Sequence, residues 1–374
     1  MESLYRYIGE RAGLLVLDPK GKVVFSKNAD LPLVPASTLK LVTAMAALDI
    51  LGPDFRFKTE VYHTSENDLV LKGYADPLLI SEALMDMADK TSRSLAPQKT
   101  FRRLVVDDTF VDSNLVVPGR SETDNPYDAP NGALCANFNT VTFESSKSGF
   151  RSAESQTPMI PYALDRIRKS GLGAGRIVFS HDTQEAALYA GHLFQYFLNQ
   201  KGISFSLDVR RGRVDTVRHE RVLSYLSPYP LRDVLAKLLE YSNNFIAIQV
   251  LLFLGAQSFG GLASLDKGIK AFQGYLDRQM GPGRVKIAEG SGLSRENRIR
   301  AADLCRCLDK LFPYRTLLKT EGRELYKTGT LDGVRARAGY IQGNGGGFYR
   351  FAVLLNSPGK TVDPVMKELL SGLP

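Results

Sequence analysis

Three short polar motifs stand in a fixed order along the chain, and a fold that uses them jointly must bring them together across long stretches of sequence. They are Ser37–Lys40 (Ser-Thr-Leu-Lys), Ser242–Asn244 (Ser-Asn-Asn) and Lys327–Thr330 (Lys-Thr-Gly-Thr). The set contains a hydroxyl nucleophile, an amine base, a second hydroxyl, and a cation flanked by hydroxyl donors. Those groups suffice for acyl transfer through a covalent intermediate. The motifs therefore predict an acyl-transfer site.

The first motif has further copies in the chain, and local context selects the one at Ser37. The copies Ser264–Lys267 and Ser357–Lys360 lie beside Gly-rich or Pro-Gly segments, where a rigid pairing is less favoured. Ser37 instead follows Pro35 and precedes residues 39–48, which are largely apolar and contain neither Gly nor Pro. This pattern predicts a helix that begins near Ser37.

The spacing of Ser37 and Lys40 has a physical reason. Residues three positions apart share one face of a helix, so Lys40 can reach the Ser37 hydroxyl. The unpaired N–H groups at a helix N-terminus favour developing negative charge. Lys40 is a useful base only where its pKa is lowered, by burial or by a second cation such as Lys327. The alternative is an N-cap serine beside a solvated lysine, and the other two motifs favour the catalytic interpretation.

The second motif lies between two predicted helices. Apolar residues recur at spacings of three and four over residues 231–239, as on a helix face. Residues 245–254 are apolar on all sides, which predicts a buried helix too short to span a membrane. Polar side chains between such segments are costly unless they are satisfied or line a cleft. We expect Ser242 to relay a proton to the leaving amine and Asn244 to orient Lys40 and the substrate, with a helix N-cap as the alternative.

Strand-like sequence surrounds the third motif. Residues 324–326 lead into Lys327–Thr330, and residues 335–341 and 348–355 are predicted strands joined by the Gly-rich turn at residues 344–347. The alternative is a hairpin edge strand that carries a solubilising lysine.

The side chains of the third motif suit a terminal carboxylate. Lys327, Thr328 and Thr330 can bind it through charge and hydroxyl donors. A glycine within a strand often marks the close approach of another backbone. We expect Gly329 to give clearance to an extended peptide bound along this strand.

A likeness to known sequences extends beyond the motifs to four segments. They are residues 34–40, which include the first motif, and residues 73–79, 105–110 and 290–297. They resemble the nucleophile segment, the Gly-Gly-Asp-Pro-x-Leu turn, the Asp-Asp stretch and the Asp-Gly-Ser-Gly-Leu-Ser-Arg segment of one family. With the Ser-x-x-Lys, Ser-x-Asn and Lys-Thr-Gly set, the chain resembles DacB-type D-alanyl-D-alanine carboxypeptidases, the class C low-molecular-mass penicillin-binding proteins.

The resemblance implies an α/β fold of the α+β type. A β-lactamase/transpeptidase-like domain, with an antiparallel sheet flanked by helices, is expected from residues 1–56 and 228–374. An inserted, mostly β domain is expected over residues 57–227, since the gap between the first two motifs is long enough for a domain. Short β-like segments at residues 61–62, 69–71, 104–106, 140–143 and 177–180 lie in that gap, with one predicted helix over residues 189–200. Residues 13–26 are predicted to form an N-terminal hairpin.

The chain departs from the family pattern at three places. Glu289 stands where the family usually has Asp, and Tyr74-Ala75 replace two glycines. Residues 118–124 match a Pro-Gly-Trp-rich loop of the insert, although the chain has no Trp. The resemblance implies that Asp124 contacts the free amine of a diaminopimelate side chain and that Arg295 faces the carboxylate end of the same side chain. The alternatives are a turn residue at Asp124 and a solvated arginine at Arg295.

The resemblance also implies the reaction. We expect a serine D-Ala-D-Ala carboxypeptidase that acts on peptidoglycan stem peptides through an acyl-enzyme and is inhibited by β-lactams. The backbone N–H groups of Ser37 and Thr330 are expected to hold the oxyanion. DD-endopeptidase cleavage of cross-links uses the same residues and stays open. The alternatives are a β-lactamase, although the class A Glu-x-x-x-Asn segment is not evident, and a non-catalytic wall-binding or β-lactam-sensing module.

Charge and composition restrict the partners. A net charge of +8 and a pI near 9.2 suit an acidic surface such as cell wall or anionic lipid. Peptidoglycan peptides and β-lactams are the expected partners, and peripheral membrane association stays open. Nucleic acid is not expected, because the arginine cluster within residues 210–221 lacks interleaved aromatic residues. The three cysteines and four histidines show no disulfide or zinc spacing, so no cofactor or metal is expected, and the oligomeric state stays open.

The N-terminal sequence bears on location. Residues 1–6 lack the charged and apolar regions of a signal peptide. Because cell-wall chemistry occurs outside the cytoplasm, we expect a periplasmic or extracytoplasmic location and a signal peptide or anchor that is absent from this sequence.

Overall fold

The structure is a computed structural model that describes residues 2–374. Its α-helices are α1 (Leu39–Leu51), α2 (Ser81–Ser94), α3 (Pro161–Ser170), α4 (Thr183–Gln200), α5 (Leu231–Glu240), α6 (Asn244–Phe259), α7 (Leu265–Met280), α8 (Ala301–Leu311) and α9 (Asp363–Gly372). Its strands are β1 (Ala12–Leu17), β2 (Val23–Lys27), β3 (Lys58–His63), β4 (Leu69–Gly73), β5 (Thr100–Phe101), β6 (Leu104–Asp107), β7 (Thr140–Ser146), β8 (Gly149–Ser152), β9 (Ala174–Val178), β10 (Ser204–Phe205), β11 (Arg210–Arg211), β12 (Glu220–Leu226), β13 (Lys319–Glu321), β14 (Glu324–Leu331), β15 (Val334–Gln342) and β16 (Phe348–Leu355). Short 3-10 helices span Glu2–Arg6, Ala36–Thr38, Pro126–Asp128, Ala136–Asn139 and Phe312–Leu317.

A six-stranded antiparallel sheet is built from both ends of the chain, in the order β13-β14-β15-β16-β1-β2. Alternate residues of β1 face opposite sides: Leu14 and Val16 pack with helix α9, and Leu15 packs with the layer of α1 and α8. Burial on both faces explains the continuous apolar run of β1, because successive strand side chains point to opposite faces. The predicted helix-flanked antiparallel sheet and the N-terminal hairpin are confirmed.

The helical layer on one face of this sheet positions the first two motifs. Residues 39–48 of α1 are all buried, so the helix has no solvent face and is apolar all round. Helix α6 is likewise buried along most of its length, as its sequence predicts. These two helices pack on each other within one hydrophobic core, which brings their N-termini together.

The residues between α1 and α5 form separate sheets and a separate core. A five-stranded sheet has the order β11-β6-β4-β3-β12, and a three-stranded sheet has the order β8-β7-β9. Leu71, Leu84 and Phe194 belong to a hydrophobic cluster distinct from the one that contains α1 and α6. The chain enters and leaves this region side by side, where Ser227 N donates to Phe57 O at 2.8 Å. This packing supports the proposal that residues 57–227 form an inserted domain.

The expectation of a mostly β insert is wrong, because three helices pack across its sheets. Helix α2 was not predicted, although its buried residues Leu84, Met87, Ala88 and Thr91 recur at spacings of one to four on one face. Helix α3 was also missed, and α4 begins at Thr183 instead of residue 189. The predicted β-like segments at residues 61–62, 69–71, 104–106 and 140–143 do lie within strands β3, β4, β6 and β7, and residues 177–180 begin in β9.

Buried amides join the insert to the helical layer. Gln249 Nε2 donates to Gly132 O at 3.0 Å, and Asn131 Nδ2 donates to Phe245 O at 2.9 Å. Both bonds lie on α6 just beyond the second motif, so the insert is fixed beside the candidate site. Within residues 2–374, no helix has the length and apolarity needed to cross a membrane.

Candidate active site

Ser37 and Lys40 lie at the start of α1, as the first motif predicts. Ser37 is part of the 3-10 turn Ala36–Thr38, which runs directly into the α-helix at Leu39. The Lys40 side chain is fully buried, and its Nζ lies 2.9 Å from Ser37 Oγ. The alternative of a solvated lysine is therefore excluded.

The other partners of Lys40 define its hydrogen-bonding geometry. Lys40 Nζ donates to Asn244 Oδ1 and to Ser291 O, each at 2.7 Å. A neutral amine has two N–H bonds and one lone pair. The two oxygens that can only accept take the two N–H groups, so the lone pair remains for the Ser37 hydroxyl, which can donate. The surroundings of Lys40 therefore suit its neutral, basic form.

Burial is also the main cause that lowers the pKa of Lys40, to about 7. The positive charge of Lys327 lowers it further, and the negative charge of Glu289 opposes the shift. Burial alone lowers the pKa of Lys327, to about 8. Near neutral pH, one lysine of the site can therefore be neutral while the other is still charged.

The second motif contributes side chains from the tight turn between α5 and α6. Asn243 is the N-cap of α6, and its side chain accepts from Ile246 N at 3.0 Å. The predicted alternative of a helix N-cap thus applies to Asn243. Asn244 binds Lys40, while Ser242 has a left-handed φ of 52° and lines the cleft. Such a backbone is strained for a residue with a side chain and persists where the surroundings fix it.

The third motif lies on β14. Lys327 is only 4% exposed, and its Nζ donates to Thr328 O at 2.9 Å, so the alternative of a solubilising lysine is wrong. Thr328 and Thr330, on either side of Gly329, are exposed. Both hydroxyls are accessible to a ligand along β14.

Gly329 differs from its expected role. A Cβ at this position would lie 2.8 Å from Pro35 O and 2.9 Å from Ser37 N. The backbone that approaches Gly329 is therefore that of residues 35–38 of the chain itself, so the space beside Gly329 is filled without a bound peptide. Glycine at this position lets β14 lie directly against Ser37.

Glu289 organises a loop that the sequence indicated only as a departure from the family pattern. Its buried carboxylate accepts from Ser291 N at 2.6 Å, Gly292 N at 2.8 Å and Asn297 Nδ2 at 2.7 Å. These bonds hold Ser291 so that its carbonyl oxygen faces Lys40. The donors follow Glu289 within eight positions, but Ser291 and Lys40 are 251 positions apart, so nothing in the local sequence indicates this role.

Gly292 lets the loop that follows Glu289 pack directly against the turn Ala36–Thr38. Its φ is 89°, and a Cβ would lie 1.9 Å from Ala36 O. Ala36 itself has a left-handed φ of 46°. The turn Ala36–Thr38 therefore lies between two close glycine contacts, Gly292 on one side and Gly329 on the other.

Asp124 and Arg295 are exposed and already have partners within the chain. Arg166 Nη2 donates to Asp124 Oδ1 in an ion pair, and Arg295 Nη2 donates to Asp332 O at 2.6 Å. Gly119 packs so closely on the loop after Glu289 that a Cβ would lie 2.9 Å from Leu293 O. The segment before Asp124 thus runs beside the segment of Arg295. A substrate amine at Asp124 would have to share that carboxylate with Arg166.

No group of His, Cys, Asp and Glu side chains in the described part of the chain is arranged to hold a metal ion. The three cysteines are free thiols and buried. Burial raises the pKa of Cys135 to about 12, so its thiol is not ionised near neutral pH.

Comparison with known proteins gives matches over nearly the whole chain. The sequence profile of the D-Ala-D-Ala carboxypeptidase 3 (S13) family matches residues 6–175 and 173–321. The chain is 28% identical over 410 aligned residues to a D-alanyl-D-alanine carboxypeptidase from Actinomadura sp. (strain R39), covering 90% of this chain and 76% of that protein.

Solved structures share the fold. Penicillin binding protein 4 (dacB) from Haemophilus influenzae matches with a TM-score of 0.77 and 19% identity, over 99% of this chain and 97% of that one. That protein has also been solved in complex with a β-lactam. Bd3459, a predatory peptidoglycan endopeptidase from Bdellovibrio bacteriovorus, matches with a TM-score of 0.54 and 16% identity, over 96% of this chain and 89% of that one.

Proposed function

The chain belongs to the D-Ala-D-Ala carboxypeptidase 3 (S13) family, and from this premise we propose that Ser37 is the nucleophile of a serine peptidase with Lys40 as its base. Membership confirms the predicted enzyme class, a serine-type hydrolase of D-Ala-D-Ala peptides. The β-lactamase and non-catalytic alternatives are set aside on the same ground. The observation that carries the assignment of the nucleophile is the buried Lys40 Nζ, 2.9 Å from Ser37 Oγ.

Acylation begins at Ser37. The lone pair of neutral Lys40 takes the Ser37 proton while Oγ forms a bond to the carbonyl carbon between the last two D-alanines. The carbonyl oxygen becomes an oxyanion, which the backbone N–H groups of Ser37 and Thr330 stabilise. The contact of Gly329 with Ser37 N supports this arrangement, because it places the two donors on adjoining backbones.

Departure of the C-terminal D-alanine requires a proton on its nitrogen. Ser242 donates its hydroxyl proton as the C–N bond breaks, and it regains a proton from the ammonium of Lys40. Asn244 holds Lys40 during both transfers through its 2.7 Å hydrogen bond. Water then attacks the ester carbon of the acyl-enzyme, Lys40 accepts the water proton, and Ser37 Oγ leaves protonated.

Lys327, Thr328 and Thr330 bind the terminal carboxylate of the peptide. The low pKa of Lys327, a consequence of burial, means that the cation is poorly hydrated and gains from a carboxylate partner. Gly329 contributes by letting this strand lie against Ser37. Asp124 and Arg295 are proposed to contact the side chain of the diamino acid, in exchange for their present partners.

The same residues serve two related reactions. In the carboxypeptidase reaction D-alanine leaves, and in the endopeptidase reaction the leaving amine belongs to a cross-linking side chain. We propose peptidoglycan peptides as the substrates, β-lactams as acylating inhibitors, and a periplasmic or other extracytoplasmic location. The β-lactam complex of the related Haemophilus protein supports the inhibitor assignment.

Mass spectrometry after exposure to benzylpenicillin tests the proposal. We expect one covalent adduct of the intact drug on the wild-type protein, located on the peptide that contains Ser37, and none on Ser37→Ala. Ser264→Ala, which changes the serine of a second Ser-x-x-Lys copy, is the matched control and should be acylated normally. Absence of the wild-type adduct, or its persistence in Ser37→Ala, would contradict the assignment.

A further inference from the structure

A second cleft extends from the Ser242–Asn244 side of the site toward the insert. Its volume is about 510 Å³. Ser242 and Asn244 line one end, and Phe138 and Arg176 of the insert line another part of its wall. The clamp residues Lys327–Thr330 are not among the described residues that line it. A peptide whose terminal carboxylate lies at the clamp can therefore extend its other half into this cleft.

Two cationic groups in the cleft have unused donors. Arg176 Nε donates to Thr140 Oγ1 at 2.9 Å, whereas its two terminal nitrogens make no hydrogen bond or ion pair with any residue from 2 to 374. Lys237 is half-buried, and within the same residues its ammonium has no such partner either. Arg176 is exposed and Lys237 is half-buried, so both cations are accessible to an anionic ligand in the cleft.

The acidic residues of the cleft leave these donors free. Glu154 accepts from Thr142 Oγ1 at 2.9 Å and from Thr157 Oγ1 at 3.2 Å. Glu82 also lines the cleft. Among the described residues, neither carboxylate forms an ion pair with Arg176 or Lys237. The cleft therefore holds two cations and two carboxylates that form no ion pair with each other, although Glu154 acts electrostatically on Arg176. A ligand carboxylate can bind there without breaking an ion pair.

A strained segment fixes Arg176 relative to the catalytic helix. Asn137, Phe138 and Asn139 all have left-handed φ values, of 50°, 62° and 54°. The Phe138 ring lies between Phe245, at 6.0 Å, and the Arg176 guanidinium, at 5.3 Å. Strain of this kind is retained where the surroundings impose it, often at functional sites.

Hydrogen bonds hold that segment in place. Asn137 Oδ1 accepts from Ser81 N at 2.9 Å, and Asn139 Nδ2 donates to Ser180 O at 2.9 Å. Phe138 is therefore a rigid connection from Phe245, the residue after Asn244, to Arg176. The two ring contacts together span on the order of 10 Å, which an extended peptide covers in about three residues.

We propose that Arg176, assisted by Lys237, binds a carboxylate in the acyl half of the peptide substrate, upstream of the D-alanine that Ser37 attacks. This inference rests on the function proposed above. The carboxylate is the free α-carboxylate of a γ-linked glutamyl residue, since Asp124 and Arg295 are proposed to contact the side chain of the diamino acid that follows it. Tyr127 and Tyr241, which are 57% and 66% exposed, also line the cleft and provide aromatic surface for the peptide.

Calorimetric titration of Ser37→Ala, which cannot turn the peptide over, tests the site. One pair of acyl-γ-D-glutamyl-L-lysyl-D-alanyl-D-alanine peptides carries the glutamyl carboxylate free or as its amide. A second pair has a glutamyl amide throughout, with diaminopimelate free or amidated as the third residue. We expect the free acid of the first pair to bind about tenfold more tightly than its amide. Adding Arg176→Gln should reduce that preference to within about twofold.

Arg151→Gln is the matched control, since Arg151 lies on the same three-stranded sheet, is 68% exposed and pairs with Glu144. It should leave the preference unchanged. A preference in the second pair that Arg176→Gln removes would assign the diamino acid carboxylate to Arg176 and would overturn the inference. Equal binding of acid and amide in the first pair, or an equal loss of preference in Arg151→Gln, would overturn it as well.

Penicillin acylation of proteins with an intact Ser37 separates this inference from the proposed function. Arg151→Gln should be acylated as fast as the wild type, and Arg176→Gln should keep the wild-type circular dichroism spectrum and urea midpoint, which shows that its fold is intact. A wild-type protein that is not acylated would refute the proposed function, whereas the titration would still decide whether the cleft binds a carboxylate.

Discussion

Replacing Asn244 by aspartate should shift the pH range in which penicillin acylates the protein. Asn244 Oδ1 accepts from Lys40 Nζ at 2.7 Å, so Asn244→Asp places a negative charge beside the ammonium with little change of shape. An opposite charge at such a distance shifts a pKa toward the charged form by about 1–3 units. From about 7 in the wild type, the pKa of Lys40 should rise to about 9.

The size of the effect follows from the neutral fraction of Lys40. At pH 7 that fraction falls from about one half to about one hundredth, so acylation should slow about fiftyfold. Deprotonation of Lys327, whose pKa burial lowers to about 8, weakens carboxylate binding at higher pH. The wild-type profile should therefore be bell-shaped, with an optimum about midway between the two values, and that of Asn244→Asp should lie about one pH unit higher.

Stopped-flow acylation by a fluorescent penicillin, measured between about pH 6 and 10, gives both profiles. Asn243→Asp is the matched control, because Asn243 caps α6 through Ile246 N and aspartate is an equally good N-cap. Its optimum should stay close to that of the wild type. An unchanged optimum in Asn244→Asp, or an equal shift in both variants, would refute the role assigned to Lys40.

Three further substitutions test residues that position the site or are buried elsewhere in the fold. Gly329→Ala should slow acylation about a hundredfold, because the added Cβ would displace the turn that carries Ser37. Gly345→Ala, where an added Cβ meets nothing within 4 Å, should be acylated at the wild-type rate. Equal rates in the wild type and both variants would contradict this. Glu289→Gln should lower the free energy of unfolding in urea by about 3 kcal/mol, because its amide nitrogen would face N–H donors, whereas exposed Glu296→Gln should cost almost nothing. Burial raises the pKa of Asp76 from 3.8 to about 6, so its contribution to stability is present below about pH 4 and is lost as pH rises through 6. In urea unfolding, Asp76→Asn should therefore raise the free energy of unfolding by about 3 kcal/mol at pH 8 and leave it unchanged at pH 4. An equal change at both pH values would contradict a raised pKa of Asp76.

The sequence predicted the parts of the fold whose signals are local. Residues 39–48 and 245–254 are apolar on all sides, and both form buried helices. Strands β14 to β16 follow from β-rich segments and a Gly-rich turn. The order of the three motifs also predicted that Lys40 and Asn244 meet, although they are 204 positions apart.

Features that depend on tertiary contacts were not predictable in the same way. The partner of Gly329 is the nucleophile turn, and nothing near Gly329 in sequence indicates this. The ion pair of Asp124 with Arg166 joins residues 42 positions apart and changes what Asp124 can offer a substrate. Ser264 was expected to lie in a Gly-rich segment unsuited to a helix start, yet it caps α7, where its Oγ accepts from Lys267 N.

The central claim is that Lys40 is neutral in the pH range where Ser37 reacts. Nuclear magnetic resonance of protein labelled with ¹³C at the lysine ε-carbons measures this directly, with the Lys40 signal assigned by its absence in Lys40→Arg. The account predicts a titration midpoint near 7 in the free enzyme. A midpoint near the ordinary lysine value of about 10.4 would contradict it.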